Sequence, residues 1–194
     1  MTWDNEVVWS FARLPYDAYL THHDLEPLPN GNVLLLCWQR KTKAEAIAAG
    51  RRPELIPDGE VWDNLTLEIQ PDGKGGASIV WSWSLWDHLI QDYDPDKANY
   101  GVVAEHPELF DINYCPPGGK AACRNTELLK GKPGEKAGPF SNPSGLSVFS
   151  SPGKTGEKDW IHANSVSYDP VRDQIAVSFV RHIVLLDFRV PCLR

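Results

Sequence analysis

Long apolar runs are missing from this sequence. The longest, Val33 to Trp38, falls far short of the roughly 20 residues that a helix needs to cross a bilayer. The N-terminal stretch MTWDNEVVWS is acidic and lacks the apolar segment of an export signal. These absences predict a soluble chain with no membrane partner and no signal peptide of its own. Lysine and arginine never gather into a stripe, and the net charge of -7 is spread over scattered Asp and Glu. Such a surface does not track phosphates, which excludes nucleic acid as a partner. The four cysteines, Cys37, Cys115, Cys123 and Cys192, have neither CxxC spacing nor the density of a disulfide scaffold, so no zinc site is expected. Cys115 and Cys123 flank the loop CPPGGKAAC and could bridge in an oxidising compartment, whereas Cys37 in an apolar strand reads as a small core residue.

Helix signal is scarce as well. Only KTKAEAIAAG, Lys41 to Gly50, has the Ala-rich composition and closing Gly of a short helix, with a further turn possible in LWDHLIQDY. Strand chemistry dominates the rest. EVVWSF, NVLLLCW, LTLEIQ, ASIVWSW, HANSVSY, DQIAVSF and IVLLDF are short, rich in β-branched and aromatic residues, and separated by turns such as PNGN, PDGKGG and DPVRD. The class is all-β. At 194 residues a single domain over 1–194 is expected, carrying an irregular Pro/Gly-rich insertion at 114–158.

A weak repeat narrows the architecture. EVVWSF precedes a His-led strand, a turn and NVLLL; SIVWSW precedes, after a longer connection, IHANSVSY, the turn DPVRD and QIAVSF. That order suits successive blades of a β-propeller, in which each connection crosses from an outer strand to the next inner one. His23 and His162 then occupy equivalent corners and can face one pocket.

The strings HHDLEPLPNGNVLLL, IVWSWSLWDHLIQDYDP, AEHPELFDIN and DWIHANSVSYDPVRDQIAVSF, in this order, resemble the arylsulfate sulfotransferases, bacterial-type enzymes built on a six-bladed β-propeller. The resemblance implies transfer of a sulfuryl group from a phenolic sulfate ester to a phenol through a sulfated histidine, with no nucleotide cofactor and no metal. The implied partners are a small aryl sulfate donor and a phenolic acceptor. Family members are often exported to the periplasm; the compartment of this chain is not encoded in its motifs. Against six blades, the strands here amount to about two to three, a partial propeller. The family's sulfated histidine belongs to a later blade and by motif order falls beyond Arg194, so turnover is expected to be impaired. Blade edges left open, with NVLLLCW and IVLLDF partly uncovered, are expected to invite self-association.

The resemblance assigns catalytic roles to His23 in the HHD motif, His162 in the HxNS motif and Arg181 in SFVRHIV, although SFVRHIVLLD sets the arginine one residue late and a one-residue slip reverses a strand side chain. Such chemistry needs imidazole and guanidinium together: a nitrogen aimed at sulfur, planar donors for the sulfonyl oxygens, and a proton for the leaving phenolate. Read without the resemblance, His23 is a half-buried ring that caps the turn or bonds a nearby carbonyl. His22 alternates with His23 and is expected on the opposite strand face, in a supporting place at the substrate site. Asp24 either orients an imidazole or bonds backbone before the turn. Asn164, two residues after His162, and His88, after the Trp-rich strand, are further substrate-binding candidates. Trp81 and Trp83 share a face and read as inter-blade core. The acidic loop DYDPDKANYG lacks the glycine and closing glutamate of an EF-hand, which rejects calcium.

Overall fold

The structure, a computed structural model, describes residues 2–11, 19–56, 58–114, 158–179 and 182–187. Strands β1 (Tyr19–Pro27) and β2 (Val33–Thr42) form an antiparallel hairpin. Its tip is built from Asn30 and Gly31: the Gly31 amide donates to the Leu28 carbonyl (3.0 Å), Asn30 Oδ1 accepts from the Asn32 amide (3.0 Å), and Gly31 holds a φ of 85°. Asn32 Nδ2 then donates to Glu68 (2.5 Å), tying the tip to the next strand.

A short helix, α1 (Lys43–Ala48), follows where the Ala-rich segment predicted one. Thr42 and Glu45 cap it reciprocally, and Gly50 with φ of 86° stops it. After a 3-10 turn at Pro53–Leu55 come β3 (Glu60–Pro71) and β4 (Ala77–Ser84), joined through Asp72, whose carboxylate takes the amides of Lys74 and Gly76. The first four strands make one sheet in the order β1-β2-β3-β4, the up-and-down form of a propeller blade. Beyond the 3-10 turn Leu85–His88, the short pair β5 (Leu89–Ile90) and β6 (Phe110–Asp111) runs parallel. β7 (Ala163–Asp169), β8 (Gln174–Phe179) and β9 (His182–Asp187) form a second antiparallel meander. The all-β class and the partial-propeller reading of the sequence agree with these sheets.

Two expectations differ. EVVWSF is not a strand; Trp9 and Phe11 stack at 5.7 Å and pack on the core, while Val7 and Val8 stay exposed. β2 is not uncovered either. Leu34, Leu35, Leu36 and Cys37 are all buried because β2 lies between β1 and β3 and both of its faces are packed. The core here gathers Leu35, Cys37, Leu65, Leu67 and Ile69. Burial pushes the Cys37 thiol up to about 12, which leaves it an inert core group. Residues 115–157 of the 114–158 insertion, the Cys115–Cys123 pair, Cys192 and Arg181 lie outside the described residues.

The chain divides into two compact units. The first comprises Met1–Arg40, Asp63–Asp87 and Ile161–Arg194; the second comprises Lys41–Trp62 and His88–Trp160. Polar side chains organise the second from within. Buried Gln91 accepts from the amides of Tyr93 and Asp94, and Asn113 and Asn99 donate to the carbonyls of Gly50 and Ala49 at the end of α1. Arg51, also buried, donates to Ile112 O and lies over Trp160; burial lowers its pKa to about 10, against the pull of Asp111.

Candidate active site

The HHD segment lies where β1 leaves its regular register with β2, between Thr21 and Leu25. His23 sits inside that irregularity with a φ of 56°, in the left-handed region that a β-substituted residue enters at a cost of about 1–2 kcal/mol. Strand alternation fails there. His22 and His23 were expected on opposite faces, yet their Nδ1 atoms stand 3.0 Å apart, because a bulge re-aims consecutive side chains.

The third ring arrives from the second meander. β1 lies against β7, and His162, the residue immediately before β7, brings its Nε2 to 3.1 Å from His23 Nε2. These two rings meet edge to face, centroids 4.4 Å apart at 89°. His22 stacks flat on Trp38 of β2 at 3.9 Å and 10°, and its centroid is 6.0 Å from that of His162. Three imidazoles thus form a chain from half-buried His22 through exposed His23 to half-buried His162. A neutral imidazole has one donor and one acceptor, so contacts at both nitrogens of His23 match a neutral ring only when it donates at one and accepts at the other. Burial first, then the charges of His23 and His162, push the His22 pKa from 6.5 down to about 3, which holds that ring neutral. Among the described residues no three His, Cys, Asp or Glu side chains converge as metal ligands.

Two polar side chains hold the backbone of this site. Asp24 accepts from the Val166 amide with Oδ2 (3.0 Å) and from the Leu25 amide with Oδ1 (2.9 Å), so it bonds backbone and clamps β1 to β7. Asn64 of β3, only 2% exposed, donates to Ile161 O (2.5 Å) and accepts from the Ala163 amide (3.1 Å), engaging the peptide groups on either side of His162. Sequence reasoning missed Asn64 and Trp38. The available signal was Asp63-Asn64, two adjacent polar residues between Trp62 and Leu65 in a strand; the first is also buried, accepting from Ser84 Oγ and the Trp86 amide.

Asn164 is exposed on β7 at the residue skipped where Ala163 and Ser165 change register with β8. His88 is half-buried at the end of its 3-10 turn and belongs to the second unit. Trp83 is buried in the core and Trp81 is half-buried. In the second unit an open hollow of about 450 Å³ is lined by Asp92, Tyr100 and Val102, and no imidazole or guanidinium lines it.

The family model described as Arylsulfotransferase (ASST) matches residues 7–189, a span that holds all three histidines, Trp38, Asp24 and Asn64. No curated protein and no solved structure matches the chain.

Proposed function

The chain belongs to the arylsulfotransferase family, and from that premise we propose that His23 and His162 bind and polarise the sulfate group of a phenolic sulfate ester during sulfuryl transfer to a phenol. The observation that carries this reading is the direct contact of the two imidazoles, one from the first strand of one sheet and one from the residue just before the first strand of another, with His23 held in a costly backbone conformation. In sulfuryl transfer a nucleophile attacks sulfur, the sulfur–aryl oxygen bond breaks, and its electron pair leaves on the phenolate. Imidazole N–H groups stabilise the sulfonyl oxygens as their charge redistributes, and a protonated imidazole returns a proton to the departing oxygen. His22, neutral and stacked on Trp38, gives His23 a fixed partner, and the indole edge supplies an apolar wall for an aromatic ring. Arg181 is assigned to the sulfonyl oxygens, and Asn164 and His88 to substrate contacts, from the family motifs alone.

Incubation with 4-nitrophenyl sulfate, with and without added phenol, tests this. Slow phenol-stimulated release of 4-nitrophenolate, in keeping with the impaired turnover expected from the sequence and reduced about 100-fold or more in His23→Ala and His162→Ala, is the expected result. Ester binding without release at any phenol concentration would make this a binding module instead of a transferase.

A further inference from the structure

We propose that Asn64 is the positioning residue of the site, fixing the direction in which His162 projects its ring. The argument starts from backbone geometry. The carbonyl of Ile161 belongs to the peptide plane before the His162 Cα, and the amide of Ala163 belongs to the plane after it. Those two planes are hinged only by φ and ψ of His162. In an extended chain the carbonyl of the preceding residue and the amide of the following one point to the same side, where a neighbouring strand would ordinarily satisfy both. Here one primary amide does so: Nδ2 donates to Ile161 O at 2.5 Å and Oδ1 accepts from Ala163 N at 3.1 Å. With both planes held, the Cα–Cβ direction of His162 is set, and the ring reaches His23 Nε2 at 3.1 Å.

Asn fits this task by its atoms. It presents one donor and one acceptor side by side, the complement of the exposed peptide pair. Aspartate has the same shape but, ionised, would face the Ile161 carbonyl with a second acceptor. Burial makes the requirement strict. Asn64 and Ala163 are 2% and 1% exposed, so water cannot replace a missing partner. The neighbouring Asp63 bonds Ser84 and Trp86, so adjacent residues of β3 divide the work: one braces the end of β4, the other braces His162.

The test uses the full chain with isotope-labelled histidines, read by NMR contacts between the His23 and His162 rings, together with binding of 4-nitrophenyl sulfate. The effect on ester binding rests on the function proposed above; the ring contact does not. Asn64→Ala should abolish the ring contact and weaken ester binding about 10- to 100-fold, since small misplacements of a reacting group carry penalties of that order. Asn64→Asp should resemble the alanine variant while its carboxyl is ionised and recover the contact once protonated, when it again offers one donor and one acceptor. Asp63→Asn should lower the melting temperature without moving the His162 ring. An unchanged ring contact in Asn64→Ala, an Asn64→Asp contact that does not respond to pH, or an equal loss in Asp63→Asn would each overturn the proposal. If the alanine variant does not fold, the aspartate titration decides alone. A parent chain that shows the ring contact but binds no ester removes the proposed function and leaves the positioning claim standing.

Discussion

His23 accepts a left-handed backbone in the middle of a strand, a conformation glycine would adopt at almost no cost. If the strain is retained for the imidazole, His23→Gly should be more stable than His23→Ala by about 1 kcal/mol while both lose ester binding. Equal melting temperatures for the two variants would show that the conformation is not strained. His22 carries a different signature. Its pKa is depressed from 6.5 to about 3, chiefly by burial. Above the unfolded value the ring is neutral in both states; as pH falls through the window from 6.5 to about 3, the unfolded chain binds a proton that the folded chain refuses, and stability declines. His22→Phe, which can keep the stack on Trp38, should therefore lose less melting temperature than the parent between about pH 7 and about pH 4. Identical slopes would place the acid sensitivity at other groups.

At the scale of elements, tight turns set where the strands can lie, and two glycines show how differently they constrain them. Gly31 at the β1–β2 tip has a φ of 85° with open space where a side chain would go. Gly50 after α1 has a φ of 86°, and an added Cβ would lie 2.7 Å from Cγ of Gln91. Gln91 cannot move aside cheaply, since it is fully buried and bonded to Tyr93, Asp94 and Asn99. Gly31→Ala should cost about 1 kcal/mol for its backbone alone, and Gly50→Ala about 2–3 kcal/mol from strain plus overpacking. Chemical denaturation of the two variants checks the order; a smaller loss at Gly50 would mean that the Gln91 knot yields readily.

At the scale of the whole molecule, among the described strands of the first sheet the exposed apolar side chains lie on the two outer strands, Leu20 and Leu25 on β1 and Ile79 and Val80 on β4, and not on β2. β4 is an outer strand of its described sheet, and Ile79 and Val80 are 42% and 49% exposed. Such an edge is a template for pairing with another chain. Val80→Lys should reduce concentration-dependent self-association in sedimentation velocity while changing stability by no more than about 0.5 kcal/mol. Unaltered association would direct attention away from this edge.

Composition and local pattern were enough to specify the all-β class, the hairpin turns and the short helix, because each depends on neighbours within a few residues. They could not specify that His22 turns toward His23, since a bulge cancels the alternation from which a side chain's face is read. Nor could they reveal Asn64. Its partners Ile161 and Ala163 are almost 100 positions away along the chain, and only tertiary packing sets a buried amide against the two peptide groups that flank His162. Local sequence determines which strands form and where they turn; tertiary packing decides which distant polar group satisfies the peptide groups beside His162.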